Sequence, residues 1–131
     1  MKFVPVKPLT DSDGSPITDL ALTSGTAVFS DKIPVDKNLG FATLLITEDK
    51  AGGAGDVDIS AEYSMDGTNW YTAYTSDMAG AISAEGNIVT ALQNLTRWIV
   101  HTVRLAKFMR YKFDPDADSQ ITAKMMFQEE S

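Results

Sequence analysis

His101 is the only histidine in the chain, and imidazole is the side chain best suited to moving protons near neutral pH. It sits in the apolar run Trp98-Ile99-Val100-His101-Thr102-Val103, where a structural, strand-face role is expected. A nucleophilic triad would also need a serine or cysteine beside the imidazole and an orienting acid behind it. There is no cysteine, and no serine is paired with His101 by spacing. Asp114, Asp116 and Asp118 have the spacing of the first three ligands of a calcium loop. Ser119 and Met125 then stand where such a loop needs glycine and glutamate. The segment reads as a turn, with a Ca²⁺ site shared across a subunit interface as the alternative. Asp11, Asp13, Asp56 and Asp58 read as turn and outer-face residues. Gly52-Gly53-Ala54-Gly55 is followed by no Lys-Ser/Thr and opens no helix, so it is not a phosphate loop. Trp70, Tyr71 and Tyr74 offer stacking surfaces for sugar rings. The competing expectation is that Trp70 closes the core while Tyr71 or Tyr74 lies on the other face. From the residues, no catalytic residue, metal site or cofactor is expected, and the chain is not expected to be an enzyme.

These residues sit on short strands. Val57, Ile59, Ala61, Tyr63 and Met65 alternate with Asp58, Ser60, Glu62 and Ser64, a period of two that predicts a strand with one apolar face. Asp66-Gly67 breaks the pattern and Trp70-Tyr71 resumes it, which predicts a β-hairpin. Met109, Tyr111 and Phe113 alternate with Arg110 and Lys112. Ile121, Ala123, Met125 and Phe127 alternate with Gln120, Thr122, Lys124 and Gln128. Together they predict a second hairpin turning at 114–118. The nearly continuous apolar run Phe41 to Thr47 predicts a strand covered on both faces. Residues 92–106 carry both a helical stripe and a cluster of β-branched and aromatic residues; strand is favoured. Leu105-Ala106-Lys107 is then a bend. Weaker strand signals lie at Ile17–Leu22, Gly25–Ser30 and Asn87–Leu92. Residues 75–86 read as a loop with a short strand near Ala81-Ile82. The sum is all-β: an antiparallel β-sandwich or jelly roll of about seven to nine short strands. Pro5 and Pro8 cannot donate to a ladder, so residues 1–9 read as an extended N-terminal arm, with residues 10–131 as the single domain.

A chain of 131 residues with 44% apolar content is one domain with an adequate core. Its net charge of −7 repels phosphate backbones and anionic lipid, so neither nucleic acid nor membrane is an expected partner. No stretch approaches the roughly 20 apolar residues of a membrane span. The N-terminus has no signal-peptide pattern, so the chain is expected to be made in a cytoplasm and used as made. Arg104, Lys107, Arg110 and Lys112 concentrate positive charge in this acidic chain. They suit a guarded edge strand or an acidic partner surface.

Two segments, Glu62-Tyr63-Ser64-Met65-Asp66-Gly67-Thr68-Asn69-Trp70 and Ala106-Lys107-Phe108-Met109-Arg110-Tyr111-Lys112-Phe113-Asp114, resemble paired hairpin segments of small β-sandwich proteins. Discoidin-like and carbohydrate-binding sandwiches carry such pairs, as do structural proteins of tailed bacteriophages. The short, cysteine-free, single-domain chain with its arm is most similar to the phage group. That resemblance implies a virion structural protein, a capsid decoration (head-stabilising) protein that clamps neighbouring capsid subunits. It implies the major capsid protein or another virion protein as partner, a homotrimer, and location in the virion. The arm would then supply the partner-binding residues Phe3, Val4, Pro5, Val6 and Pro8. The alternative is a carbohydrate-binding or host-attachment module that stacks sugars on Trp70, Tyr71 and Tyr74.

Overall fold

The computed structural model describes residues 2–3, 7–49, 56–72, 74–76, 82–84, 86–93 and 95–129. Every element among them is a strand. In chain order these are β1 (Lys2–Phe3), β2 (Lys7–Pro8), β3 (Leu20–Leu22), β4 (Val28–Phe29), β5 (Ile33–Pro34), β6 (Asn38–Asp49) and β7 (Val57–Ser64). Then follow β8 (Tyr71–Thr72), β9 (Tyr74–Ser76), β10 (Ile82–Ala84), β11 (Val89–Leu92), β12 (Thr96–Thr102), β13 (Phe108–Pro115) and β14 (Ser119–Glu129). Nine of these have three residues or more; the rest are two-residue pairings along sheet margins. No described helix is long and apolar enough to cross a membrane.

The strands form an antiparallel β-sandwich. Sheet I runs β14–β6–β12, with β1, β2 and β3 along the far side of β14. Sheet II centres on β7–β13, flanked by β11 and β8 on one side and by β4 and β5 on the other. β9 and β10 pair only with each other among the described residues. The second hairpin expected at 114–118 does not form: β13 pairs with β7 in sheet II and β14 with β6 in sheet I, so this turn crosses between the sheets and each strand brings its own apolar row to the shared core.

Period-two patterning explains the core. Val57, Ile59, Ala61 and Tyr63 of β7 and Met109, Tyr111 and Phe113 of β13 point inward from sheet II. Ala42, Leu44 and Ile46 of β6 and Ile121, Ala123, Met125 and Phe127 of β14 point inward from sheet I. The alternation ends at Tyr63, because Ser64 turns inward to organise the hairpin loop and Met65 is 64% exposed. The strand within the 92–106 region is β12, which pairs with β6 in an unbroken register from Thr96↔Thr47 to Thr102↔Phe41, and Leu105-Ala106-Lys107 is a bend. β6 is covered on one face only. Ala42, Leu44, Ile46 and Glu48 are buried, whereas Thr43, Leu45 and Thr47 are half-buried and Phe41 is exposed.

The N-terminal segment is extended where it is described, and it lies along its own sheet. Lys2 and Phe3 pair with Glu129 and Gln128, and Lys7 and Pro8 with Met125 and Lys124. Leu9, 4% exposed, is part of the core, and its N–H donates to the Ala123 carbonyl (2.9 Å).

Candidate functional site

The β7–β8 loop is built from its own polar side chains. Asp66 Oδ1 accepts the backbone N–H groups of Thr68 and Asn69 (both 2.8 Å), and Oδ2 accepts the Asn69 amide (2.7 Å). Ser64 Oγ donates to Asp66 and accepts the Gly67 N–H. These bonds favour the anion. The Asn69 N–H contributes most, followed by the Thr68 N–H, then the Asn69 and Ser64 side chains, and the carboxyl is held well below its ordinary value of 3.8. Gly67 takes a positive φ of 79°, and a Cβ there would meet Lys32 and Phe108. Asp66-Gly67 is turn chemistry.

Trp70 emerges from this loop, half-buried, and does not join the core. It and Phe29 flank the Arg110 guanidinium, whose carbon lies 4.5 Å from the Trp70 ring centroid and 4.0 Å from that of Phe29. Arg110 also reaches Glu62 across the β7–β13 ladder (Nη2–Oε1 2.7 Å, Nε–Oε1 2.8 Å). The clamp walls an open cleft of about 480 Å³ that Asp31 and Lys32 also line. Tyr71 is exposed and pairs in register with Tyr63, whose side chain faces the core. It therefore projects to the opposite side of the hairpin from Trp70. The structure does not gather these two rings into one platform, and the Tyr74 side chain lies outside the described residues.

His101 is a bridge between the sheets. Its Nε2 lies 2.5 Å from the Tyr111 hydroxyl, and its Nδ1 lies 3.1 Å from the Thr102 carbonyl. A carbonyl only accepts, so Nδ1 carries the proton and Nε2 accepts from tyrosine in the neutral ring. Burial, then the proximity of Tyr63, raises the Tyr111 phenol far above its ordinary value of 10.0. The aspartates of the 114–118 turn tie loops together. Asp116 Oδ1 accepts the Asp56 N–H (2.6 Å) and Asp118 Oδ1 accepts the Ser24 N–H (2.9 Å). Among the described residues, no three or more His, Asp or Glu side chains converge on a metal-sized site. Gly52–Gly55 lies outside the described residues. So do Val4, Pro5, Val6 and the Phe3 side chain. Pro8 is exposed on β2.

The two outer faces of the sandwich differ. Sheet II shows water an ordinary polar set: Asp58, Ser60, Glu62, Arg110 and Lys112. Sheet I shows water a cluster of aromatic and aliphatic side chains among polar ones. Register aligns Met126–Thr43–Val100 in one row and Lys124–Leu45–Trp98 in the next, with Phe41 beside Thr102 at the end. Phe41 is 56% exposed, Trp98 59% and Val100 61%. Phe41, Thr43, Val100 and Met126 line a shallow depression of about 160 Å³. Exposed aromatic and aliphatic groups are thus gathered on one face of the sandwich.

Sequence reasoning missed this face because it read Phe41–Thr47 as covered on both sides. One signal was present. In β12 the residues that point inward, Arg97, Ile99 and His101, are less apolar than Trp98 and Val100, which point outward.

The fold and this face define a β-sandwich with an apolar patch on the outer side of one sheet. Compared with known proteins, the chain matches no family model and no curated protein.

Proposed function

We propose that this protein is a structural binding module that docks on another protein through the outer face of sheet I. More particularly, we propose a virion component of the capsid-decoration kind, clamping neighbouring capsid subunits. The observation that carries the docking reading is the group of exposed Phe41, Trp98 and Val100 with half-buried Met126 on the outer face of sheet I. Such a face has little reason to remain apolar in water unless a partner covers it. Aromatic residues and methionine are the types enriched at protein interfaces. The resemblance of the two hairpin segments to those of phage structural proteins supports the virion assignment. The N-terminal segment along β14 borders the same sheet, so arm and face would contact one partner together, and weak contacts would combine.

The sugar-binding reading has less support, because the Arg110 guanidinium already occupies the space between Trp70 and Phe29.

Co-sedimentation with shells assembled from the major capsid protein encoded in the same genome tests the proposal. Wild type should pellet with shells. The double variant Phe41→Ser, Met126→Ser should bind at least about tenfold more weakly, since two central interface side chains carry on the order of 1 kcal/mol or more each. Equal pelleting of the two, or no pelleting of wild type, would refute it. A truncation that removes residues 1–6 measures the arm's share without disturbing Leu9.

A further inference from the structure

β12 is the outer strand of sheet I, and no other described strand pairs with it besides β6. The antiparallel ladder fixes where its backbone groups point. Val103 N–H donates to the Gly40 carbonyl, and Leu95 accepts from the Glu48 N–H. Hydrogen-bonded pairs recur at every second residue. Leu95, Arg97, Ile99, His101 and Val103 therefore direct their backbone groups at β6, while Thr96, Trp98, Val100 and Thr102 direct theirs away from it. The side chains of that second set are the exposed outer row.

The other sheet margins are guarded. β14 is lined by the short β1, β2 and β3, with Pro8 in β2. β4, β5 and β8 are two residues long, and β5 contains Pro34. β11 is broken by a register shift between Val89 and Leu92, with Ala91 at φ 57°. β12 alone among these margins is seven residues long and unbroken, with no proline, lysine or bulge. Proline, lysine and bulges are among the devices by which edges avoid pairing, and the one charged residue β12 carries is Arg97.

We infer that β12 pairs antiparallel with β12 of a second copy about a two-fold axis through Ile99, joining two sheets I into one continuous sheet. This register is the one in which Trp98 and Val100 of the second copy exchange backbone hydrogen bonds. It sets an aromatic ring beside a β-branched side chain twice, a favourable cross-strand pair. It also sets Arg97 opposite His101. Charge permits it: no Asp or Glu occurs from Gly86 to Phe113 in a chain of net charge −7, so the copies meet without bringing carboxylates together. The seam is about 24 Å long at about 3.4 Å per residue and about 10 Å thick. That cross-section of roughly 240 Å² is far below the ~800 Å² per partner of a stable complex. The dimer is therefore weak, with a dissociation constant on the order of 10⁻⁵ M or weaker. Residues opposite each other in a sheet share a face, so the two apolar outer faces become contiguous. The pairing follows from β12 itself and holds whatever the outer face meets.

Sedimentation equilibrium from micromolar to millimolar concentration is the test. Wild type should pass from monomer to dimer. Val100→Lys should raise the dissociation constant at least about tenfold, with an unchanged circular dichroism spectrum. Val100→Pro should do the same, because the N–H it removes points away from β6. The chain has no cysteine, so single-cysteine variants report geometry. Under a thiol oxidant Ile99→Cys should form a disulfide dimer, since the paired Cα atoms would be about 4.5 Å apart. Thr96→Cys, which faces Thr102 of the second copy, should not. A wild type that stays monomeric or forms a trimer would overturn the inference. So would a Val100→Lys variant that dimerises like wild type, or equal crosslinking at 96 and 99.

Discussion

Tyr111 shows how one buried polar residue ties the sheets and sets a pH limit. Its ring lies wholly in the core, its hydroxyl meets His101 from the opposite sheet, and its backbone N–H donates to Ser30 Oγ (2.9 Å). Desolvation penalises the phenolate, so its folded pKa is raised. A raised folded value means stability is fully present below the ordinary 10.0 and is lost as pH climbs beyond it, where the unfolded chain releases the proton and the folded chain holds it. Absorbance titration of the four tyrosines should show one that ionises only on alkaline unfolding. Tyr111→Phe should remove that step and lower stability at pH 7 by about 1 kcal/mol; a wild type whose four tyrosines all titrate near 10 while folded would contradict this. Asp66 lies on the acid side with the opposite sign: its depressed value gives the loop stability above about 3.8 that is lost as pH falls. The tyrosine's inward direction was legible from the alternation Met109, Tyr111, Phe113. Its histidine partner was not, because contact between residues of different sheets leaves no local pattern.

At the scale of the element, strands and their buried faces were more legible than their partners. Strict alternation fixes the buried face of β7, β13 and β14, since slipping by one residue would bury Asp58, Ser60 and Glu62. It does not name the partner strand: the Asp66-Gly67 hairpin forms between β7 and β8, whereas the turn at 114–118 carries the chain from sheet II to sheet I instead of closing a second hairpin. β6 and β12 were harder. An apolar strand covered by two layers and an apolar strand that shows one face to solvent read alike in sequence. Trp70 was misplaced for a related reason: its size argues for the core, but Arg110 and Phe29 give it a partner on the polar face. That clamp holds the β8 side of the hairpin against β13 and β4. Arg110→Ala should cost about 1–2 kcal/mol in chemical denaturation, from a partly exposed ion pair and two ring contacts. Arg110→Lys should recover less than half of it, because an ammonium has no planar face to lay between two rings. Full recovery by lysine would show that charge alone matters there. Basic residues 104–112 do not form one guarded edge either: Arg110 and Lys112 lie on the central strand β13, between β7 on one side and β4 and β5 on the other.

The whole molecule is a two-sheet sandwich with unlike sides. Sheet II presents charge and a cleft beside Trp70; sheet I presents an apolar patch and an edge strand, β12, that no described strand covers. The arm expected at residues 1–9 has a narrower scope in the structure, since Leu9 is a core residue and truncation beyond it removes packing worth roughly 2–5 kcal/mol. The central claim is that sheet I's outer face is where a partner sits. Hydroxyl-radical footprinting of the protein free and bound to capsid shells tests this most directly, because it reads both sides of the sandwich in one sample. Phe41 and Met126 should lose most of their reactivity on binding, while Met65, Trp70 and Tyr71 keep theirs. Protection at Trp70 and Tyr71 with Phe41 and Met126 unchanged would contradict the account.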